Sequence, residues 1–457
     1  MTPPLLTRRK FLTSMAGAGA LAACSAAPEL PVASGVPNIL LILADDLGYD
    51  NLGVQGASDL LTPNIDSIAS TGVRFTDGYV TSPVCSPSRA ALLTGRYQES
   101  FGFEFNPSTS DIATPPNFGL PVQEKTLADH LRSRGYATGL IGKWHLGVAP
   151  KFFPLRRGFD EFFGFLMGSR SYYQKTADRR NPLYSNDRIV EEHEYLTDAF
   201  ARKAVSFVER HRDEPFFLYL PFNAVHSPPD PPPQKYLDRF PHITNPTRKV
   251  FAAMLAAMDD GIGRVLTTIQ RRGLDDNTIV IFLSDNGGTA LAGRAPNRTV
   301  SGGKGSLYEG AIRIPFMMRW PGHIPAGAVY REPVSSLDIF STVLSAAGAT
   351  IPPDRDGVDL LPFLNGTQQG SPHDQLYWKY SPWSAIRQGD WKLLSTSPQA
   401  PPMLFNLASD QMERNDLAHD DPRQREAMLD LLSTWKSRLP PPLTPQVMPR
   451  ARPQVIK

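Results

Sequence analysis

Two pairs of polar residues stand where their oxygen atoms could bind a divalent cation. Asp45 and Asp46 directly follow the first long apolar run of the chain, and Asp285 and Asn286 follow another such run. Continuous apolar runs of this length are typical of strands that are buried on both faces of a parallel sheet. Carboxylate and amide oxygens are hard ligands, and they suit Ca²⁺ or Mg²⁺ better than zinc. These four residues therefore predict a cation site at the ends of two strands.

Cations and imidazoles follow other predicted strands in the same way. Lys143 and His145 come after the apolar segment 136–141, and His226 comes after the aromatic-rich segment 216–222. Ligands of open α/β sheets bind outside the carboxyl ends of the strands, so these side chains are expected to face the same site as the carboxylates. An imidazole titrates near pH ~6.5 and can serve there as an acid or a base.

The most specific motif is the run 85–96, which reads Cys-Ser-Pro-Ser-Arg-Ala-Ala-Leu-Leu-Thr-Gly-Arg. The offsets of its cysteine, proline and arginine, and its Leu-Thr-Gly-Arg end, resemble the nucleophile motif of type I sulfatases, the formylglycine-dependent branch of the alkaline phosphatase superfamily. The resemblance implies that Cys85 is oxidised to formylglycine and that one hydroxyl of the hydrated aldehyde attacks the sulfate group. The other hydroxyl then expels sulfate by reforming the aldehyde. The plainer alternative is a buried structural cysteine at a turn.

Further segments resemble the same family and extend the likeness over residues 38–394. They are 44–49, 143–147, 222–229, 303–310 and 388–393. The resemblance implies a bound Ca²⁺ ion, with Mg²⁺ as the lesser alternative. Its ligands would be Asp45, Asp46, Asp285, Asn286 and an oxygen of the formylglycine formed from Cys85. Asp285 would also activate the attacking hydroxyl.

The same resemblance implies a role for each of the remaining polar residues. Arg89 and Lys143 would stabilise the negative charge that develops on the substrate as the S–O bond breaks. His226 and Lys304 would donate a proton to the leaving oxygen. His145 would take a proton from the remaining hydroxyl when sulfate is expelled.

The predicted activity is hydrolysis of a sulfate monoester of an aryl or carbohydrate group, as in arylsulfatase-like and N-acetylgalactosamine-6-sulfatase-like members of the family. One alternative is a phosphodiesterase or phosphonate monoester hydrolase of the same superfamily, which would share the nucleophile and the metal. Another is a catalytically silent protein that binds sulfated glycans. Substrate specificity is assigned to the loops 98–106, 164–187 and 228–236. The aromatic residues that either stack on a substrate ring or pack inside the protein are Trp144, Tyr172, Tyr173 and Trp383.

Strand and helix patterns alternate along most of the chain. This alternation predicts an α/β fold with a large, doubly wound, mostly parallel sheet and helices on both faces. Towards the end of the chain, short strands joined by turns precede a final helix, which predicts a smaller C-terminal domain with an antiparallel sheet. The predicted domains are 36–370 and 371–439, and the proline-rich stretch 440–457 is predicted to be a mobile tail.

The segment 1–35 is predicted to be an export signal and linker, not part of the fold. Residues 7–12 contain Arg8 and Arg9 and resemble a twin-arginine signal, and residues 21–24 end in Cys24 and resemble a lipobox whose cysteine is acylated. An ordinary signal that is cleaved after a small residue is the alternative. Either reading predicts export, with the mature protein in the periplasm or anchored to a membrane as a lipoprotein.

Composition narrows the class of protein and its partners. The chain has 457 residues, of which 41% are hydrophobic and 20% charged, as is typical of a globular protein. Its formal net charge of +2 is far from the strong positive charge typical of nucleic-acid-binding proteins. Its two cysteines are Cys24 and Cys85, so acylation of one and conversion of the other would leave no intramolecular disulfide. The predicted partners are a sulfated small molecule or sulfated carbohydrate and a formylglycine-generating enzyme.

Overall fold

A ten-stranded sheet forms the centre of the protein, whose computed structural model describes residues 35–107, 118–175, 181–289 and 297–443. The predicted signal with Cys24, and the predicted tail beyond residue 443, lie outside the described residues. Among the residues that are described, no helix combines the length and the apolar character needed to cross a lipid bilayer.

Strands and helices alternate as the sequence predicts. The strands of the described residues are β1 (Asn38–Ala44), β2 (Val73–Phe75), β3 (Gly78–Tyr79), β4 (Ala137–Lys143), β5 (Glu161–Phe165), β6 (Leu183–Ser185), β7 (Arg188–Val190), β8 (Phe216–Pro221), β9 (Thr278–Ser284), β10 (Phe316–Arg319), β11 (Ala328–Tyr330), β12 (Val334–Ser335), β13 (Leu376–Tyr380), β14 (Trp383–Gln388), β15 (Trp391–Ser395) and β16 (Met403–Asn406). The α-helices of the described residues are α1 (Pro63–Ser70), α2 (Cys85–Thr94), α3 (Leu127–Arg132), α4 (Leu196–Arg210), α5 (Gln234–Leu237), α6 (Pro246–Arg271), α7 (Glu309–Ile312), α8 (Asp338–Ala346), α9 (Leu361–Leu364) and α10 (Pro422–Ser437).

The large sheet is parallel at its centre and has antiparallel pairs on both sides of it, while its edge strand β11 pairs in parallel with β2. Its strand order is β11-β2-β10-β9-β1-β8-β4-β5-β6-β7. The strands from β9 to β5 in this order pair in parallel, whereas β10, β6 and β7 pair antiparallel with their neighbours. β6 and β7 are joined by two residues, which is too short a connection for a parallel crossover. The predicted large, mostly parallel sheet is confirmed, with these antiparallel pairs added.

Side chains of β1 alternate between two hydrophobic cores. Ile39 and Leu41 pack on one face of the sheet in a cluster that includes residues of α2, α3 and α8. Leu40 and Ile42 pack on the other face with residues of α1, α4 and α6. All four side chains are fully buried, and each contributes roughly 1.5–3 kcal/mol through removal of its apolar surface from water. This double burial explains why the strand is one continuous apolar run.

A smaller antiparallel sheet, in the order β13-β14-β15-β16, follows later in the chain. One of its faces packs under α10, where Ile386 and Leu393 contact Met428 and Leu432 of the helix. Its other face joins the core cluster of the large sheet through residues such as Trp378, whose indole N–H donates to the carbonyl of Val80 at 2.7 Å. The predicted C-terminal antiparallel sheet is therefore confirmed, while the predicted boundary between residues 370 and 371 stays a prediction.

Candidate active site

The predicted ligands meet because their strands are neighbours in the sheet. β9, β1, β8 and β4 lie side by side and run parallel, so their carboxyl ends open on the same edge. The register pairs Ala44 with Ser284, and Asp45 and Asp285 each occupy the next position of their strands. The main-chain amide of Asp285 donates to the carbonyl of Ala44 at 3.0 Å, and the amide of Asp45 donates to the carbonyl of Ala224 at 2.9 Å.

Cys85 is the first residue of α2, and every residue of this helix is buried. Its sulfur lies 3.6 Å from Oδ1 of Asp45 and 4.0 Å from Oδ1 of Asp46. The helix ends at Gly95, whose φ of 66° is a left-handed conformation that glycine adopts readily. A Cβ at this position would lie 2.7 Å from the side chain of Phe340. The glycine of the motif therefore ends the helix and leaves room for a core aromatic side chain.

Four side chains converge on one point beside this helix. Ligand atoms of Asp45, Asp46, Cys85 and His226 all lie within 4.8 Å of one another. The side-chain amide of Asn286 donates to Oδ1 of Asp46 at 2.8 Å, while its own Oδ1 is buried without a hydrogen-bond partner among the described residues. A buried, unpartnered oxygen next to two carboxylates is an environment that a hard divalent cation satisfies. The residues present fit such an ion.

Asp285 and Arg89 form a buried ion pair beside this group. Oδ2 of Asp285 lies 2.7 Å from Nη2 and 2.8 Å from Nε of Arg89, and its Oδ1 accepts from the amide of Asp46 at 3.2 Å. Lys143 pairs with Asp45 across 2.6 Å. Because buried charges are costly unless they are paired, the two cations predicted to contact the substrate also neutralise two carboxylates. The role of Asp285 as a cation ligand stays a prediction.

Lys304 and two histidines complete the site. Nζ of Lys304 lies 2.5 Å from Oδ1 of Asp46 and 3.0 Å from the sulfur of Cys85. Nε2 of His226 lies 3.7 Å from Oδ2 of Asp46, and its Nδ1 lies 2.6 Å from a main-chain carbonyl oxygen. His145 is buried and lines the same cavity as Cys85. The structure thus brings together all the residues that the sequence singled out, whereas their individual roles stay predictions.

The site opens on a cavity of about 300 Å³. The residues that line it are Cys85, Asn106, Pro107, His145, Met167, Gly168, Ser169, His226 and Lys304. Two of the predicted specificity loops, 98–106 and 164–187, therefore reach it. The sequence did not single out Asn106, whose Oδ1 accepts from the amide of Ser86 at 2.9 Å and so satisfies a free N–H of the first turn of α2. Its partner is 20 residues away, so no local pattern signals this contact.

Two of the aromatic residues considered for substrate stacking are inside the protein. Trp144 is fully buried and its indole N–H donates to the carbonyl of Phe152 at 2.8 Å. Tyr172 is buried, and its hydroxyl lies 2.6 Å from the carbonyl of Asn223 and 3.0 Å from that of His226. For these two residues the stacking interpretation is wrong, and the packing alternative holds. Their polar atoms form hydrogen bonds to main-chain carbonyls and so stabilise the loops around the site.

Burial and neighbouring charges together determine which side chains of the site are charged. Burial acts to raise the pKa of Asp45, but Lys143, His226 and Arg89 outweigh it and hold that pKa far below its usual range. Burial raises the pKa of the Cys85 thiol to about 12. Burial, followed by the charge of Lys143, holds the pKa of His145 well below its ordinary value. The carboxylate is therefore charged, whereas the thiol and the imidazole are neutral at neutral pH.

Two site residues adopt a left-handed backbone conformation without being glycine. Asp46 has a φ of 61° and His145 a φ of 59°. Such a conformation costs on the order of 1–3 kcal/mol per residue, and it persists only where surrounding contacts enforce it. Here each residue lies two positions after the end of a buried strand, β1 for Asp46 and β4 for His145, so the sheet holds the strained turns in place beside the site.

Family profiles match almost the whole of the described chain. The profile of the family described as Sulfatase matches residues 37–349, which include every residue of the site. A second profile, described as N-sulphoglucosamine sulphohydrolase, C-terminal, matches residues 303–435 and includes the small antiparallel sheet.

Individual relatives and solved structures are similar over comparable lengths. The chain is 36% identical over 408 residues to N-acetylgalactosamine-6-sulfatase of Mus musculus, a match that covers 81% of this chain and 76% of that protein. It is 34% identical over 406 residues to an uncharacterized sulfatase of Escherichia coli (strain K12), with 76% and 70% covered. The crystal structure of Ps i-CgsB in complex with k-i-k-neocarrahexaose has 37% identity and a TM-score of 0.85, and covers 90% of this chain and 94% of that one.

Proposed function

Because the chain belongs to the sulfatase family and is a sulfate ester hydrolase, we propose that its substrate is a sulfated carbohydrate and that its nucleophile is formylglycine made from Cys85. The overall reaction consumes one water, and it releases an alcohol and a sulfate ion from the ester. The proposal rests above all on the position of Cys85, buried at the start of α2 with Lys304 3.0 Å and Asp45 3.6 Å from its sulfur.

An unmodified thiol is poorly suited to act as the nucleophile at this position. Burial raises its pKa to about 12, so it carries no charge at neutral pH, and the reactive form of cysteine is the thiolate. Formylglycine would supply a hydrated aldehyde, which offers a nucleophilic hydroxyl that does not depend on thiol ionisation. The amide of Ser86, already bound to Asn106 at 2.9 Å, helps to hold the first turn of α2 and hence the nucleophile in position.

A Ca²⁺ ion would be held by Asp45, Asp46, Asp285, Asn286 and the oxygen of formylglycine at position 85. The ion would polarise a sulfate oxygen as a Lewis acid. Support comes from the donor set, in which carboxylate and amide oxygens predominate, and from the unpartnered Oδ1 of Asn286. Ca²⁺ tolerates a larger and less regular set of oxygens than Mg²⁺ does, which is why we favour it here.

The fixed cations of the site would bind the anionic sulfate group and stabilise charge on the leaving oxygen. Arg89 and Lys143 are held by their pairs with Asp285 and Asp45, so they need no rearrangement to act. Lys304 borders the cavity and lies beside the reacting position, where it would donate a proton to the leaving oxygen.

The two histidines also border this cavity, together with Cys85. His226 would share the proton donation with Lys304, and His145 would accept a proton from the nucleophile residue. Tyr172 supports the first of these roles, because its hydroxyl contacts the carbonyl of His226 at 3.0 Å and so ties down that residue's main chain.

The choice of a carbohydrate rests on the relatives. One is named N-acetylgalactosamine-6-sulfatase, and the solved structure with 37% identity contains k-i-k-neocarrahexaose. The cavity agrees with such a substrate, because its lining offers the polar side chains of Asn106 and Ser169 beside the apolar Pro107 and Met167. Polar groups can bind the hydroxyls of a sugar, while apolar side chains pack against its ring.

Export and maturation are part of the same proposal. The twin-arginine-like segment and the lipobox at Cys24 would send the folded enzyme to the periplasm, with a lipid anchor at that cysteine. A formylglycine-generating enzyme would oxidise Cys85 before α2 is buried, since every residue of the folded helix is buried.

Mass spectrometry of the tryptic peptide 75–89 from protein made in its native host would test the nucleophile. We expect a residue at position 85 that is lighter than cysteine and lacks sulfur. An intact thiol in a preparation that nevertheless hydrolyses sulfate esters would overturn the formylglycine proposal. Sulfate release from sulfated oligosaccharides, and 4-nitrophenol release from 4-nitrophenyl sulfate and from bis(4-nitrophenyl) phosphate, would then test the substrate, and we expect the highest kcat/KM for an oligosaccharide. Faster turnover of the phosphodiester would contradict this assignment.

A further inference from the structure

A second cavity, of about 350 Å³, shares no lining residue with the catalytic one and has a cationic wall. Its charged lining residues are Lys125, Lys151, Arg156, Arg157 and Asp129. Four cations therefore face one acid. The sequence did not single out any of these residues, and the catalytic site uses none of them.

Three of the four cations form no ion pair with any residue that the structure describes. Lys125, Lys151 and Arg156 are exposed, and none forms an ion pair with a carboxylate of the described residues. The ammonium of Lys151 lies 4.9 Å from the centre of the Phe152 ring, which restricts its position without neutralising it. Clustered positive charges attract anions, because an anion bound between them relieves their mutual repulsion.

The fourth cation, Arg157, is buried. Its guanidinium donates to the carbonyls of Leu120 at 2.6 Å, Pro121 at 3.2 Å and Glu124 at 2.6 Å. The nearby carboxylates are engaged elsewhere: that of Glu124 pairs with Arg96 at 2.9 Å, and that of Asp129 accepts from the amide of Thr126 at 2.9 Å. The charges of Asp129 and Glu124 compensate this buried cation only in part, because burial still lowers the pKa of Arg157 despite them. An anion in the cavity would compensate it further.

The cavity wall and the catalytic site are parts of the same chain segment. The carbonyl of Leu146, next to His145, accepts from the amide of Leu120 at 2.9 Å, and the indole of Trp144 binds the carbonyl of Phe152 at 2.8 Å. Lys151 is six residues after His145, so their Cα atoms are at most about 20 Å apart. This separation is short enough for one extended sulfated chain to span.

We propose that this cavity is an accessory anion site, which binds a sulfate group of a polysulfated carbohydrate other than the ester being cleaved. The proposal rests on the proposed function and deepens it. Such a site would make the enzyme prefer polymers with sulfate groups at repeated positions over substrates with a single sulfate. Shape and charge together support the proposal. The cavity is concave, three of its cations form no ion pair with a described residue, and its wall belongs to the chain segment that carries His145.

A triple variant, Lys125→Gln/Lys151→Gln/Arg156→Gln, tests the proposal in the full-length enzyme. The matched control is Arg271→Gln/Arg331→Gln/Arg423→Gln, which removes the same charge from exposed residues outside the cavity. The probes are dextran sulfate, unsulfated dextran and inorganic sulfate, and binding is followed by isothermal titration calorimetry. kcat and KM for 4-nitrophenyl sulfate are measured in parallel.

We expect the triple variant to bind dextran sulfate about tenfold more weakly than the wild type, with a shallower dependence on salt, since each exposed ion pair contributes modestly. The control should lose no more than about twofold, and kcat/KM for 4-nitrophenyl sulfate should be unchanged in both. Equal losses in the two triple variants would show attraction by net charge alone and would overturn the proposal. Binding of inorganic sulfate that matches that of dextran sulfate in strength would assign the cavity to free anions and would also overturn it. Absence of 4-nitrophenyl sulfate turnover in the wild type would instead count against the proposed function. The binding measurement does not depend on turnover, so the two failures can be told apart.

Discussion

The ammonium of Lys304 lies 3.0 Å from the sulfur of Cys85, although the two residues are 219 positions apart in the chain. The same ammonium lies 2.5 Å from Oδ1 of Asp46. Burial acts to lower the pKa of Lys304, but the charges around it, led by Asp46, outweigh burial and hold that pKa well above its ordinary value. A permanent positive charge is therefore fixed beside the residue that carries the nucleophile.

Replacement of this lysine tests its role at the leaving oxygen. Lys304→Ala is expected to lower kcat by about 100- to 1,000-fold, the usual effect of removing one preorganised group that stabilises a transition state. If Lys304 donates a proton, the loss will be larger for an alkyl sulfate, whose alkoxide leaves poorly, than for 4-nitrophenyl sulfate, whose phenolate leaves unaided. Steady-state kinetics with both substrates would measure this difference. Equal losses would contradict proton donation and leave charge stabilisation as the role.

Removal of the cation tests the ligand set. Dialysis against a chelator is expected to abolish activity, and added Ca²⁺ should restore it. Asn286→Ala should raise the Ca²⁺ concentration needed for half-maximal activity by at least about 10-fold, because a ligand is at least as important as the groups that orient ligands. Asp259→Asn is a matched control: this buried carboxylate accepts from the amide of Ile65 at 2.8 Å and belongs to α6, away from the site. An unchanged Ca²⁺ requirement in Asn286→Ala would remove this residue from the ligand set.

Stability depends on a buried charge that joins the small antiparallel sheet to α7. Nζ of Lys392 on β15 lies 2.9 Å from Oε1 of Glu309 and 2.8 Å from Oε1 of Glu413, and all three side chains are inaccessible to solvent. Lys392→Met should lower the free energy of unfolding by about 3–5 kcal/mol. Glu413 would lose its counter-charge, and Glu309 would keep that of Arg313, whose Nη1 lies 3.6 Å from its Oε2. Urea denaturation would measure it. Arg202→Met, which removes exposed ion pairs with Glu192 and Glu194, should cost less than about 1 kcal/mol. A similar small loss in Lys392→Met would contradict the prediction.

The pH dependence of stability should include a contribution from His373. Its Nε2 lies 2.8 Å from Oδ1 of Asp338. Burial acts to lower its pKa, but the charge of Asp338 raises it more, so the net shift is upward. A raised pKa means that the protonated form is favoured in the folded state. Its contribution is complete below pH ~6.5, the ordinary histidine pKa, and is lost as pH rises through the raised value.

Comparison of the wild type with His373→Asn isolates this contribution from other groups that titrate in the same range, such as Glu413, whose pKa burial raises to about 7. The difference in free energy of unfolding between the two proteins should be largest in mildly acidic buffer and should shrink as pH rises above neutrality. A difference that stays constant with pH would show that His373 contributes packing but no charge.

Much of the fold could be predicted from the sequence because burial leaves a local pattern. The apolar run before Asp45 predicts a buried strand, and the structure has β1 there, at Asn38–Ala44, since a strand with a core on each face is largely apolar along its length. The ends of the strands then locate the polar residues that face the site. The helix that begins at Cys85 ends at Gly95 for an equally local reason, a left-handed residue after the last turn.

Other features depend on contacts between distant segments, which strand order and register decide. The pairing of Ala44 with Ser284 brings Asp285 beside Asp45 across a large sequence separation. Tertiary packing also removed Trp144 from the substrate side, because its indole N–H binds a loop carbonyl inside the core. A side chain's local sequence is the same whether it faces a ligand or the interior, so only the folded arrangement of loops and sheet distinguishes the two.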